Sequence, residues 1–232
     1  MGLLAVDGVP ESRLTDEAVR GLPDRSAAAP WPLLLSAIVW VHRATEEAVA
    51  LLPARLRAHP RVPVTIGAFI RYRSTPVGPY SEVLASPVVV LPRGVPACFI
   101  PFIAVDSLAS VHGGRTNWAL PKALAGFEWH GATRARGHGV SPAGRWSVSA
   151  RAEGVRAALP VPVVAANRQP APGGATLATA ITGLALAAPA RVEVTTAGPS
   201  LPTWLLAGSH AGAVVPRARL RFGVPRRLGV RA

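Results

Sequence analysis

Of the 25 basic side chains in this chain of 232 residues, 24 are arginine and one is lysine, Lys122. So much Ala, Arg, Gly and Pro resembles the product of a GC-rich genome, which accounts for the scarcity of lysine but not for where the one lysine sits. A solvated surface cation can be arginine. An amine nucleophile cannot, because a guanidinium is effectively never deprotonated. A lysine amine condenses with a ketone to an iminium, which accepts the electrons released when a neighbouring carbon bond breaks. The amine must first lose its proton: at a reference value of about 10.4, only about one lysine in 2,500 is neutral at pH 7. Lowering that value by roughly 3–4 units would destabilise the ammonium by about 4–5 kcal/mol. The residues around it, Trp118, Ala119, Leu120, Pro121, Ala123, Leu124 and Ala125, are apolar, so desolvation is the expected lever.

Other chemistries find no support. The 6 histidines form no His-Glu-x-x-His pattern and no His-Cys cluster, so neither a metal nor any other cofactor is expected. Gly139-Val140-Ser141-Pro142-Ala143-Gly144 has the wrong spacing for a serine nucleophile elbow. Gly137-His138-Gly139 lacks the third glycine of a dinucleotide-binding turn.

The elements that must position Lys122 read as short strands and tight turns. Thr15 caps a short helix with Asp16 and Glu17 in its first turn, stopped at Gly21-Leu22-Pro23, and Thr45 caps a second. Strands are predicted at 33–42, 63–72, 82–91, 97–105, around 126–134, and at 145–153, 191–196 and 213–222. Asp106 or Ser107 would cap a helical stretch ended by Gly113-Gly114, and Pro121 would start another short helix carrying Lys122. Residues 160–174 read as a Pro-rich loop. The pattern implies an α+β fold: a single domain with a curved or closed, mostly antiparallel, barrel-like sheet and a few short helices. Residues 1–30 form an N-terminal arm, and 31–232 the domain.

Composition narrows the partners. No apolar run approaches the roughly 18–20 residues of a membrane helix, the longest early one being Trp31 to Val41. Asp7, Glu11 and Arg13 stand where a signal peptide would be basic and then apolar, and Cys98 is alone, so a cytoplasmic protein is expected. The net charge of +13 lies on scattered arginines, densest at Arg217, Arg219, Arg221, Arg226 and Arg227. Alternation of that kind gives one solvated strand face, so nucleic acid is not expected and attraction of anionic substrates is the milder consequence.

The segment Gly114-Arg115-Thr116-Asn117-Trp118-Ala119-Leu120-Pro121-Lys122-Ala123-Leu124 resembles the Gly-Arg-Glu…Pro-Lys-x-Leu segment of the acetoacetate decarboxylase family. Tyr80-Ser81-Glu82 is similar to its Tyr-x-Glu segment, and Val41-His42-Arg43 to its Tyr-Arg segment. The resemblance covers about residues 38 to 130 and implies a lysine-imine lyase of decarboxylase type acting on a small keto acid. Acetoacetate decarboxylase is itself an example of a lysine activated in this way. The resemblance implies Lys122 as the imine-forming residue and Glu82 as the proton-handling group. Arg43 would hold the substrate carboxylate, and Arg115 and Trp118 would line the site. An aldolase-dehydratase using the same lysine, or a non-catalytic carboxylate-binding member, are the alternatives, and a homo-oligomer is implied. The chain departs from the pattern at Thr116, Ala123 and Gly67, where the family has a glutamate, a second lysine and a second pocket glutamate.

Overall fold

A computed structural model describes residues 5–229. The first half alternates short helices with strands. After α1 (Asp16–Arg20) come β1 (Trp31–Arg43), α2 (Glu46–Ala50), α3 (Ala54–Arg57), β2 (Arg61–Val62) and β3 (Val64–Ser74). They are followed by β4 (Tyr80–Ser86), β5 (Val89–Val90), β6 (Ala97–Cys98), β7 (Phe102–Val105), α4 (Leu108–Trp118) and β8 (Ala123–Leu124). The second half is mostly strand: β9 (Gly126–His130), β10 (Arg134–Ser141), β11 (Gly144–Glu153), β12 (Leu159–Ala171), β13 (Ala175–Ala197), β14 (Gly208–Phe222) and β15 (Arg226–Leu228). Thr15 and Thr45 cap α1 and α2 as their types require, each accepting the backbone N–H three residues on. No helix among the described residues is long and apolar enough to cross a membrane.

The strands form one sheet whose main path runs β2-β5-β6-β12-β13-β14-β1-β3-β4-β7-β8, almost wholly antiparallel. It curls without closing. β13 is long enough to serve two neighbours on one side, β12 along residues 175–187 and β11 along 191–197. Alternation then sorts side chains onto two faces. One face carries Ile38, Trp40, Phe69, Val83 and Phe102 into a core shared with Trp146 and Val148 of β11. The other carries Leu35, Ala37, Tyr72 and Tyr80, and encloses a cavity. Arg217, Arg219 and Arg221 alternate on the exposed side of β14, as the sequence pattern predicts.

Four expectations need correction. Residues 160–174 are not a loop: most of them form β12, which pairs with β13 throughout. Pro160 and Pro162 fit because no strand pairs with the other edge of β12 at these positions among the described residues, so no ladder needs their missing N–H groups. Gly113-Gly114 does not end α4, which continues to Trp118. Nor does Pro121 begin a helix, since Lys122 lies in extended chain leading into β8, parallel to β7. The predicted strand at 97–105 is split in two by the segment Phe99-Ile100-Pro101.

Candidate active site

Lys122 owes its position to how α4 stops. Ser107 accepts the Ser110 N–H at the N-terminus of α4. At the other end Ala119 turns left-handed, with φ 56°, and Leu120 N–H reaches back to the Gly114 carbonyl. A left-handed alanine costs on the order of 1 kcal/mol or more, and here it reverses the chain so that Lys122 runs back along the helix. Arg115 fixes that return. Its Nε donates to the Lys122 carbonyl at 2.7 Å and its Nη2 to the Ser12 carbonyl at 2.6 Å. Burial pushes the guanidinium down to about 10, leaving it charged at neutral pH.

The lysine side chain then crosses Gly114. A Cβ at that position would stand 2.6 Å from Lys122 Cδ and 2.8 Å from Cε, so glycine is needed for close approach, not for a stop. Gly114→Ala should improve intrinsic helix propensity by about 1 kcal/mol yet displace the amine. Since a shift of about 1 Å can cost roughly a hundredfold, kcat should fall about 10- to 100-fold while the melting temperature holds. Steady-state kinetics beside a thermal melt check this.

One turn before Gly114 on the same face stands Ser110, and the lysine reaches it. Nζ donates to Ser110 Oγ at 2.9 Å, to Glu82 Oε2 at 2.7 Å and to Tyr80 Oη at 3.4 Å, which occupies all three ammonium protons. It also lies 5.0 Å from the centroid of the Tyr80 ring. Sheet register supplies the partners: Ile70 faces Glu82 and Tyr72 faces Tyr80 across β3 and β4, so the two tyrosines and the carboxylate share the cavity face. Tyr72 Oη donates to Glu82 Oε1 at 3.0 Å, so both carboxylate oxygens are engaged. Lys122 and Glu82 are only 3% and 2% exposed, so their pairing lies out of water.

That pairing reverses the expected pKa shift. Burial does press the Lys122 amine down, as its apolar surroundings predict. The negative charge of Glu82, the Tyr80 phenol and the hydrogen bonds from both together outweigh burial and hold Lys122 above the ordinary lysine value. Burial also lifts both phenols, Tyr72 well above the usual tyrosine range with Glu82 adding to the effect. The resting lysine is therefore an ammonium.

Of the residues anticipated from sequence, Lys122 and Glu82 meet directly and Trp118 lines the cavity. Arg115 does not line it and acts on the backbone of Lys122 instead. Arg43 is not brought to the cavity. It has the parity of the lining residues Ala37 and Val39 on β1, but lies four positions past Val39, about 13 Å along the strand, and is exposed. Among the described residues it pairs with neither Glu46 nor Glu47. Tyr72 and Ser110 had no sequence signal, because one depends on strand register and the other on stacking along α4. Position 67, where a second carboxylate was sought, faces away from the cavity: a Cβ on Gly67 would meet the Trp40 ring at 2.2 Å. Thr116 is exposed and bonds the His112 carbonyl, so the change from glutamate leaves the cavity untouched.

The cavity, about 250 Å³, is walled by aliphatic and aromatic side chains, with Lys122, Glu82, Tyr72 and Tyr80 as its polar cluster. A half-wrapped sheet that shelters a lone amine beside a carboxylate is the frame of a lysine-centred pocket protein. The family model described as Acetoacetate decarboxylase (ADC) matches residues 22–179, and the chain belongs to that family. No curated protein sequence matches it.

Solved structures show the same fold at low identity. Acetoacetate decarboxylase from Legionella pneumophila is 16% identical with a TM-score of 0.62, covering 89% of this chain and 90% of its own. Another acetoacetate decarboxylase is 14% identical with a TM-score of 0.61, covering 93% and 98%. The enduracididine biosynthesis enzyme MppR, complexed with the condensation product of pyruvate and imidazole 4-carboxaldehyde, is 14% identical with a TM-score of 0.60, covering 89% and 92%.

Proposed function

We propose that this chain is a lysine-dependent enzyme of keto-acid chemistry, forming an imine through Lys122 and cleaving a carbon–carbon bond in the manner of a decarboxylase. The observation that carries the reading is the Lys122–Glu82 contact of 2.7 Å at a cavity whose remaining wall is apolar. An isolated buried ammonium would be inert as a nucleophile. Here its proton has an acceptor within a hydrogen bond, so a transient transfer to Glu82 frees the lone pair without sending a charge into the apolar cavity.

The steps follow from that transfer. Lys122 passes a proton to Glu82 and its lone pair attacks the ketone carbon. Glu82 gives that proton to the departing hydroxyl, so the carbinolamine loses water to a cationic iminium. The bond to the carboxylate breaks, its electrons move to the iminium nitrogen, and carbon dioxide leaves an enamine. Glu82, reprotonated by water, delivers a proton to the enamine carbon, and water hydrolyses the resulting iminium and restores the lysine. Apolar walls favour the central step, because a carboxylate charge becomes a neutral molecule there. Tyr72 keeps Glu82 in place, and Ser110 orients the amine.

Borohydride reduction in the presence of a panel of keto acids, followed by peptide mass mapping, tests the reading. The expected result is a reduced adduct on Lys122; its absence with every acid would remove the imine mechanism. A second reading, an aldolase-dehydratase using the same lysine, is favoured by the likeness to MppR, whose complex holds a condensation product of pyruvate. Carbon dioxide release from a β-keto acid separates the two.

A further inference from the structure

Resting on the imine reading, we infer that the substrate is a β-keto acid bearing an unbranched apolar chain, not acetoacetate or pyruvate. Most polar atoms of the cavity are already committed. The Trp31 indole N–H donates to the Ala27 carbonyl at 3.1 Å and that of Trp118 to the Gly223 carbonyl at 3.0 Å, so both indoles offer the cavity only hydrocarbon. Tyr72 donates to Glu82. Lys122 and Glu82 neutralise each other, and among the described residues no arginine lines the cavity. One carboxylate, placed beside the carbonyl, is all that the cluster can hold through the iminium charge. A second acidic or strongly polar group elsewhere on the substrate would be buried without a partner.

Beyond the cluster the wall is aliphatic and long. On β1 it runs from Trp31 to Val39, about 26 Å of strand, and across the sheet it reaches Val163 on β12 and Ile181 on β13. Leu33, Leu35 and Leu220 line the middle. A four-carbon acid would cover little of this surface, and water finds no partners on the remainder. A linear chain leading away from the carbonyl covers it. Across β13 and β14 the paired Ala185 and Ala218 put two small side chains next to each other in the wall, which leaves room there for a chain.

A ladder of β-keto acids with methyl, propyl, pentyl and heptyl groups on the ketone decides the matter, with kcat/KM and borohydride adduct yield read for each. Burial of each added methylene should raise kcat/KM about two- to fourfold until the cavity is filled. The Ala185→Leu variant should move the best chain length downward. A flat profile, or one falling from methyl onward with adducts still on Lys122, overturns the chain-length inference and leaves the imine reading standing. No adduct with any member overturns the imine reading itself.

Discussion

Lys122→Met is expected to abolish both the borohydride adduct and turnover, with a loss of about 10⁴- to 10⁶-fold, the scale seen when a covalent nucleophile is removed. The same change would remove the buried lysine paired with the Glu82 carboxylate, so folding stability should fall by about 3–5 kcal/mol. Activity alone would not separate a lost nucleophile from a lost fold. The double variant Lys122→Met with Glu82→Gln does: with both charges gone and Tyr72 still able to bond the amide, stability should recover to within about 1–2 kcal/mol of the parent. Turnover should stay absent. A folded double variant that still decarboxylates keto acids would show that the chemistry lies elsewhere. Chemical denaturation of the two singles and the double measures the coupling directly.

Glu82→Gln separates imine formation from proton handling. In the parent chain the carboxylate is the main reason that the buried amine titrates above the ordinary lysine value. With a neutral amide there, burial is left opposed only by Tyr80, and the amine should titrate below that value. Adduct formation should therefore begin at lower pH than in the parent. Turnover should nevertheless drop about 10²- to 10⁴-fold, the usual weight of a general acid–base group, because no carboxylic acid returns a proton to the enamine carbon. Stability carries its own signature. The raised lysine of the parent contributes fully below about pH 10.4, the unfolded value, and that contribution is lost only as pH climbs through the folded value above it. In the variant the folded value is the lower one, so stability should rise with pH up to the unfolded value. Denaturation midpoints across the alkaline range distinguish the opposite slopes.

The sequence disclosed the site unevenly, for physical reasons. Lys122 was legible because it is the single lysine, and no arginine can do an amine's work. Glu82 was legible through its short segment beside Tyr80. Tyr72 was not, because its role depends on a register that places it opposite Tyr80. Arg43 shows the converse: its side chain has the right parity but lies beyond the cavity's end. Gly113-Gly114 reads as a helix terminator by composition, yet the glycines are there so that Trp31 and Lys122 can pass close to α4. The Pro-rich segment was misread because proline argues against a strand in general, though not against one at an unpaired edge.

That edge has a consequence for how copies of this chain can meet. Hydrogen-bonded docking of another strand requires a run of outward N–H groups, and β12 omits two of them at Pro160 and Pro162. Leu159, Val161 and Val164 nevertheless expose much of their side chains around the same stretch. The margin is therefore apolar but a poor template for strand addition around residues 159–162, so any contact across that stretch would be made by side chains meeting face to face.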